Sequence, residues 1–493
     1  MINSLLSIDW IIIIVFLVAT FIIGLIAREK ITSVDDFLLI GRKLGVLRGI
    51  ATLSSTEMGL VTIIYYSQEA YSNGFVSLII GVIAAFTMWM IGRTGFIIDH
   101  LRNLQIRTVP EYFEIRFGRG IRWIAGLACF FTGILNMGIF LQVESKFIAV
   151  IMGLHNEQLP LVMGIILSIV LVYTIFGGMY TVVITDIIQF FVIIIGAIII
   201  CYYAFTCAGG ISGMISVVRQ NYGSAGINLR IAPNYGILFL IWTSLYYISG
   251  WSSWQPVAQR TFSTTDSGTA RKLFQFSSLF MLFRSAVPML WGIAALAIVG
   301  LIPDTQSALP RMLIKIIPSG MFGIVIIGFI AASMSTYSSY LLSFSAILIQ
   351  DVVAPMIRFF MPDKIRNLLM RFSILLIGLF MYFWGLYYNF TETVFRYITL
   401  TGSLAFAGML TALVAGIYSK KASMGGAYLA FIASAIPPII ALAVPSISAT
   451  TAGLLSFGLA PLSMFIGSVL FPGGTTSLKR KSLKINGLLD FKF

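Results

Sequence analysis

Charge is scarce in this chain. Only 10% of its 493 residues are Asp, Glu, Lys or Arg, where a soluble domain carries about 25%. That shortage excludes a large soluble domain. Cysteine is almost missing: Cys129, Cys201 and Cys207 supply no disulfide framework, and the first two fall in apolar stretches. The two histidines, His100 and His155, have no ligand spacing around them, which argues against a transition-metal centre. No nucleophile–base pair, metal cluster or phosphate loop is apparent, so the chain does not read as an enzyme. Acids are few, 18 against 32 Lys and Arg, for a net charge of +14. The bases sit mostly in short loops between apolar runs. That pattern marks membrane topology rather than a nucleic-acid surface.

What is abundant is apolar: 58% of residues are hydrophobic and the mean hydropathy is +0.97. The reading is an all-α polytopic membrane protein. Apolar, charge-poor runs predict thirteen transmembrane helices, at about 8–27, 45–72, 75–98, 121–152, 159–177, 180–206, 235–259, 273–302, 319–348, 369–388, 393–417, 425–444 and 449–471. The first, Trp10–Ala27, has an acid before it and no small-residue cleavage site, so it reads as a retained helix, not a signal peptide. Basic residues sort the loops. Arg28, Lys30, Arg42 and Lys43, then Arg102, Arg107, Arg116 and Arg119, then Arg271 and Lys272, then Arg358, Lys364 and Arg366, then Lys420 and Lys421 fall on one side. Lys479, Arg480, Lys481, Lys484 and Lys492 of the tail join them. The other side offers Arg219, Arg230, Arg311 and Lys315. The expectation is an N-terminus outside and a C-terminus in the cytoplasm.

Ionisable groups inside spans are costly and default to functional hypotheses. Glu57 stands in Leu53-Ser-Ser-Thr-Glu-Met-Gly-Leu60, where polar and small residues interrupt the second helix. That reads as a discontinuous helix with carbonyls free for a cation. Asp186 lies early in the sixth helix and also suits a helix N-terminus. Glu69 is expected to reach outer water. Glu144 is expected to pair locally with Lys146, and Arg284 to snorkel towards the cytoplasmic face. The ninth span carries Ser333, Ser335, Thr336, Ser338, Ser339, Ser343 and Ser345 in the uncharged interval from Lys315 to Asp351. Ser335, Ser338 and Ser339 share a face. Such a stripe suits either an alkali cation or close helix packing.

Four ordered segments carry a resemblance. Gly177-Gly-Met-Tyr-Thr-Val-Val-Ile-Thr-Asp-Ile-Ile-Gln189 resembles the signature of the sodium/solute symporter family. Asp35-Asp36-Phe37 with Gly41-Arg42, Thr108-Val-Pro-Glu-Tyr-Phe-Glu-Ile-Arg116, and Gln255-Pro256 with Gln259-Arg260 resemble further segments of it, in the same order. The resemblance covers roughly 8–475. It implies a leucine-transporter-like fold with two inverted five-helix repeats. The implied organisation is a peripheral helix and cytoplasmic loop over 1–44, a first repeat over 45–206 and a second over 235–417. Two peripheral helices over 425–471 and a basic cytoplasmic tail over 472–493 complete it.

By resemblance, a first sodium site draws on carbonyls of Ser55 and Met58 and on Ala332, Ser335 and Thr336. A possible second site falls on Asp186, Ser335, Ser338 and Ser339. Glu57-Met58 is closest to the proline-carrier type, with glutamate replacing the usual aspartate. Arg42 matches the arginine of a coupling loop whose first glycine is Ile40 here. Glu57, Gln68, Asn136, Trp251, Ser252 and Gln255 are the substrate and coupling candidates. The positions that shape the proline and sialic-acid pockets do not transfer, because Asn136, Ile248 and Ser252 stand there.

The expected function is sodium-coupled uptake of a small organic solute by alternating access. An amino acid or similar zwitterion is favoured, in the plasma membrane, with sodium as the one cofactor. No nucleic acid and no obligate protein partner are expected. The alternatives are a membrane sensor acting through a separate partner, and a proton-coupled carrier of a cationic amine.

Overall fold

The computed structural model describes residues 6–27, 34–356, 362–388, 393–444 and 446–473. Arg28, Lys30, Arg358 and the tail bases named above lie outside the described residues. The described chain is helical. Its one bridge outside helices pairs Leu44 with Thr264. The long helices are α1 (Ser7–Ala27), α2 (Val46–Glu57), α3 (Leu60–Asn73), α4 (Ile79–Thr94), α5 (Arg119–Met152), α6 (Leu159–Cys207), α7 (Ile237–Ser253), α8 (Gln255–Ser263), α9 (Ser267–Val299), α10 (Phe322–Ile347), α11 (Asp363–Tyr387), α12 (Val394–Tyr418), α13 (Met424–Ala443) and α14 (Ala449–Leu470).

Among the described residues, nine helices are long and apolar enough to cross a membrane, and Ser7–Thr20 and Leu159–Val172 are shorter apolar segments. Length alone therefore does not reach the expected thirteen. One reason is that two spans are broken: α2 stops at Glu57 before α3, and α7 stops at Ser253 before α8. Another is that Leu60–Thr94 runs as one span where two were expected, while the two spans expected within the 49-residue α6 fall as the shorter Leu159–Val172 and the span Gly178–Cys207. An unbroken helix needs only about 20 residues to span a bilayer. Gly178, at φ 59°, turns the chain inside α6, in a conformation glycine adopts without strain.

The serine-bearing α10 packs along α6 and against α1. Helix α1 is tied to the start of α10. Asp9, fully buried, accepts the N–H of Leu6 at 2.9 Å and the N–H of Gly323 at 2.8 Å. One carboxylate thus serves the starts of both α1 and α10, where free N–H groups and the helix dipole favour an anion.

Candidate functional site

The interruption between α2 and α3 is built from short-range chemistry. Met58 leaves the helical region (φ −92°, ψ 54°) and Gly59 extends the chain (φ −68°, ψ 159°). A Cβ on Gly59 would lie 2.4 Å from Thr336 Oγ1, so only glycine lets α10 approach this closely. Thr336 Oγ1 donates to the carbonyl of Thr56 at 2.8 Å. The α7–α8 interruption falls at Trp254 (φ −66°, ψ 117°), with a proline in the first turn of α8, where its missing N–H costs least.

Breaking a buried helix orphans backbone groups. Here side chains from other helices take them up. The N–H of Val61 donates to Glu144 Oε1 at 3.0 Å, and Ser333 donates to Oε2 at 2.7 Å. Glu144 is fully buried. The expected pair with Lys146 is not formed, because Lys146 reaches Asp304 at 3.1 Å instead. On the α2 side, Arg284 Nε and Thr62 Oγ1 (3.2 Å) both donate to the carbonyl of Glu57.

Arg284 does not snorkel. It is 5% exposed, and its Nη2 lies 3.6 Å from Glu57 Oε2. The same nitrogen is 3.4 Å from Thr62 Oγ1 and from Tyr65 OH, and the guanidinium lies 5.6 Å from the Tyr66 ring centre. A charge this deep is held because an opposite charge and an aromatic face replace its water. Glu57 Oε1 is buried and has no partner. Tyr66 and Tyr247 join hydroxyls at 2.9 Å, and Tyr247 stacks on Trp251 at 5.8 Å.

A second buried pair sits on the α2 side of the break. Arg260 Nη2 lies 3.3 Å from Asp186 Oδ2, both side chains being fully buried. The same nitrogen is 2.7 Å from Thr56 Oγ1, 3.4 Å from Thr52 Oγ1 and 2.5 Å from Ser339 Oγ. Thr52 donates to Asp186 Oδ2 at 2.5 Å and Ser335 to Oδ1 at 2.6 Å. Ser338 turns back to the carbonyl of Ser335. Of the oxygens expected to form a second sodium site, Asp186 Oδ2 and Ser339 Oγ lie against the Arg260 guanidinium.

The first sodium set lies around the α2–α3 break. Ser54 and Ser55 hydroxyls are buried without partners in the last turn of α2. Met58 is the breaking residue, and Thr336 packs against Gly59. Ala332 is buried one turn before Ser335 and Thr336 on α10. The Ser335 hydroxyl donates to Asp186 Oδ1 and that of Thr336 to the carbonyl of Thr56; hydroxyl and carbonyl oxygens are the ligands a hard monovalent cation takes.

The substrate candidates separate. Trp251, whose Nε1 donates to the carbonyl of Ala84 at 3.0 Å, stacks on the Tyr247 side of the tyrosine cluster. Ser252 is buried with an unpartnered hydroxyl. Gln68 is turned to Thr305 at 2.8 Å, and Asn136 accepts from Thr401 at 2.5 Å. Gln255 accepts from the N–H of Val109 at 3.2 Å and donates to the carbonyl of Arg107 at 3.3 Å. These last three are held by hydrogen bonds to Thr305, to Thr401 and to the backbone of Arg107 and Val109. Arg42 donates to the carbonyls of Gln105 (2.6 Å), Ile106 and Phe262 (both 3.4 Å). It ties the loop before α2 to the loop after α4 and to the end of α8.

Tyr65, Tyr66 and Tyr247 were missed from the sequence, and Arg284 was misplaced. One signal was available: Arg284 and Glu57 are opposite charges in two different apolar spans, and buried charges seek partners.

Two interrupted helices meeting at a charged, hydroxyl-lined centre deep in an apolar helical body define an ion-coupled membrane carrier of leucine-transporter-like fold. The family model described as "Sodium:solute symporter family" matches residues 37–434. The sodium/glucose cotransporter of Vibrio parahaemolyticus is 26% identical over 441 residues, covering 82% of this chain and 78% of that protein. The sodium/sialic acid symporter of Proteus mirabilis is 23% identical over 448 residues, covering 86% and 88%. A solved Na+-coupled sialic acid symporter in a substrate-bound outward-open state superposes with a TM-score of 0.82 at 20% identity, over 94% of this chain and 98% of that one. The chain belongs to the sodium:solute symporter family. It is a multi-pass, sodium-coupled carrier of a small solute, not an enzyme.

Proposed function

We propose that this carrier takes up a small zwitterion, an amino acid or a solute of the same charge pattern, driven by one sodium ion. The observation that supports the solute class is the pair Glu57–Arg284 at the helix break, 3.6 Å apart with Glu57 Oε1 unpartnered. A solute amine completes Glu57 and a solute carboxylate takes the Arg284 fork, so both buried charges gain a partner at once. A neutral polyol leaves the pair to itself. A cationic amine answers Glu57 and opposes Arg284.

Sodium is assigned to the carbonyls of Ser55, Met58 and Ala332 and the hydroxyls of Ser335 and Thr336. The second cation position is assigned to Arg260 itself, because its Nη2 already sits among the oxygens of Thr52, Thr56, Asp186 and Ser339. The two repeats are placed at 45–206 and 235–417, each opening with one of the broken helices. The N-terminus is placed outside and the tail in the cytoplasm, in the cell membrane.

The relatives named above are a glucose and a sialic-acid carrier, so sugars belong in the test. Purified protein in vesicles under an inward sodium gradient is assayed with labelled neutral amino acids, betaines, glucose, inositol, sialic acid and simple amines. Sodium-dependent uptake of a zwitterion, abolished by Glu57→Gln, is expected. Sodium-driven uptake of a neutral sugar alone overturns the solute class. Equal uptake on a proton gradient without sodium overturns the coupling.

A further inference from the structure

Away from this centre, on the face that carries the loop after α4, lies a cavity of about 250 Å³. Its walls are the short helix Val109–Phe117, the start of α5, the segment after α10 and the start of α11. Four arginines line it, Arg107, Arg119, Arg122 and Arg366, against two glutamates, Glu111 and Glu114.

The acids are already committed. Glu114 lies 2.5 Å from Arg122 and 3.5 Å from Arg119. Glu111 accepts the backbone N–H of Arg107 at 2.7 Å. Asp351, behind the wall, holds Arg122 Nε at 2.7 Å and accepts from Thr108 at 2.8 Å. Arg366 has no carboxylate partner among the described residues. Its Nη1 meets only the amide oxygen of Gln350 at 3.4 Å, and its Nε is buried without a partner. Gln350, which also lines the cavity, is 4% exposed and leaves its Nε2 unpartnered. Two orphaned donors on one wall, in a cavity with surplus positive charge, call for a ligand that brings several acceptor oxygens and negative charge. The volume exceeds what a single ordered water fills. Arginine forks suit a tetrahedral phosphate.

The rim indicates where that phosphate comes from. Met356 follows the lining residue Pro355 and is 67% exposed, and Trp123 follows the lining residue Arg122 and is 38% exposed. In a membrane carrier these apolar side chains face lipid, and a tryptophan beside arginines marks the headgroup level. Basic pockets between helices at that level hold anionic headgroups. We propose that this cavity binds the headgroup phosphate of an anionic phospholipid, with Arg366 and Gln350 as its direct donors.

The full-length protein is delipidated in detergent. Its melting temperature is then titrated with phosphatidylglycerol, with phosphatidylcholine and with inorganic phosphate, and retained lipid is weighed by native mass spectrometry. Phosphatidylglycerol is expected to stabilise the protein saturably, while phosphatidylcholine, whose choline cancels the charge, does not. Arg366→Gln is expected to raise the half-saturating phosphatidylglycerol about tenfold, the loss of one charge-assisted contact, and Arg366→Lys by less. If Arg366→Gln folds poorly, Arg119→Gln answers the same question, since Arg119 is 79% exposed, and a weaker phosphatidylglycerol response is expected there too. An unchanged half-saturation in both variants overturns the site, and so does equal stabilisation by phosphatidylcholine. Inorganic phosphate acting at the same concentration as the lipid overturns the lipid as its occupant.

Discussion

Glu144 of α5 accepts a hydrogen bond from the backbone N–H of Val61 at 3.0 Å, two residues beyond the break at Gly59. A carboxylate on one helix thereby supplies the cap that another helix lost when it was interrupted. The negative charge also meets the positive end of α3. The break at the site's centre is thus held open by a residue 83 positions further along the chain.

That contact gives the first prediction. Glu144→Ala leaves the N–H of Val61 and the hydroxyl of Ser333 buried without acceptors, at a cost of about 1–3 kcal/mol each. Melting temperature and sodium-driven uptake are both expected to fall. Glu144→Gln keeps one acceptor and is expected to lie between. A Glu144→Ala protein as stable and active as wild type removes the capping role.

The second prediction concerns the sodium position. Thr336→Ala and Ser335→Ala are each expected to raise the sodium concentration for half-maximal uptake about tenfold, as for loss of one ligand worth about 1.4 kcal/mol. Solute affinity at saturating sodium should change much less. Gly59→Ala, which forces a Cβ to within 2.4 Å of Thr336 Oγ1, is expected to abolish uptake and lower the melting temperature. Unaltered sodium titrations in both α10 variants reject the assignment.

The third prediction uses a double-mutant cycle. Removing one member of a buried pair leaves the other charge uncompensated, at about 3–5 kcal/mol. Glu57→Gln and Arg284→Gln are each expected to destabilise strongly. The double variant should recover much of that loss in thermal melts, yet show no uptake of a zwitterion. Additive melting losses would mean that the two groups do not act as a pair.

The fourth prediction concerns stoichiometry. With Arg260 among the oxygens of Asp186, Thr56 and Ser339, uptake is expected to depend on sodium with a Hill coefficient near one. Asp186→Asn is expected to lower stability, because Arg260 loses its counter-charge. A wild-type coefficient clearly above one returns these oxygens to a second sodium ion.

Sequence alone reached the class and the landmarks. Lipid leaves helices and closed barrels as the ways to satisfy the backbone, and long continuous apolar runs rather than alternating ones select the helices. The run Ser54–Gly59 announced a broken helix because polar and small residues at mid-membrane are costly without a purpose. Asp186 and the α10 hydroxyls stood out for the same reason. Composition and local pattern carry such facts because each depends on one segment and its solvent.

Only the tertiary structure decided which charges meet. Arg284 reaches Glu57 from 227 residues away, and Arg260 reaches Asp186 from 74 away. Glu144 leaves its neighbour Lys146 for Val61, and Gln255 faces a loop rather than the centre. A buried charge is satisfied by whatever lies within a few ångströms, and spacing along the chain does not encode which helices become neighbours. The residues that matter to a membrane carrier were therefore legible as anomalies. Their partners, and so their roles, depended on the packing of the helices.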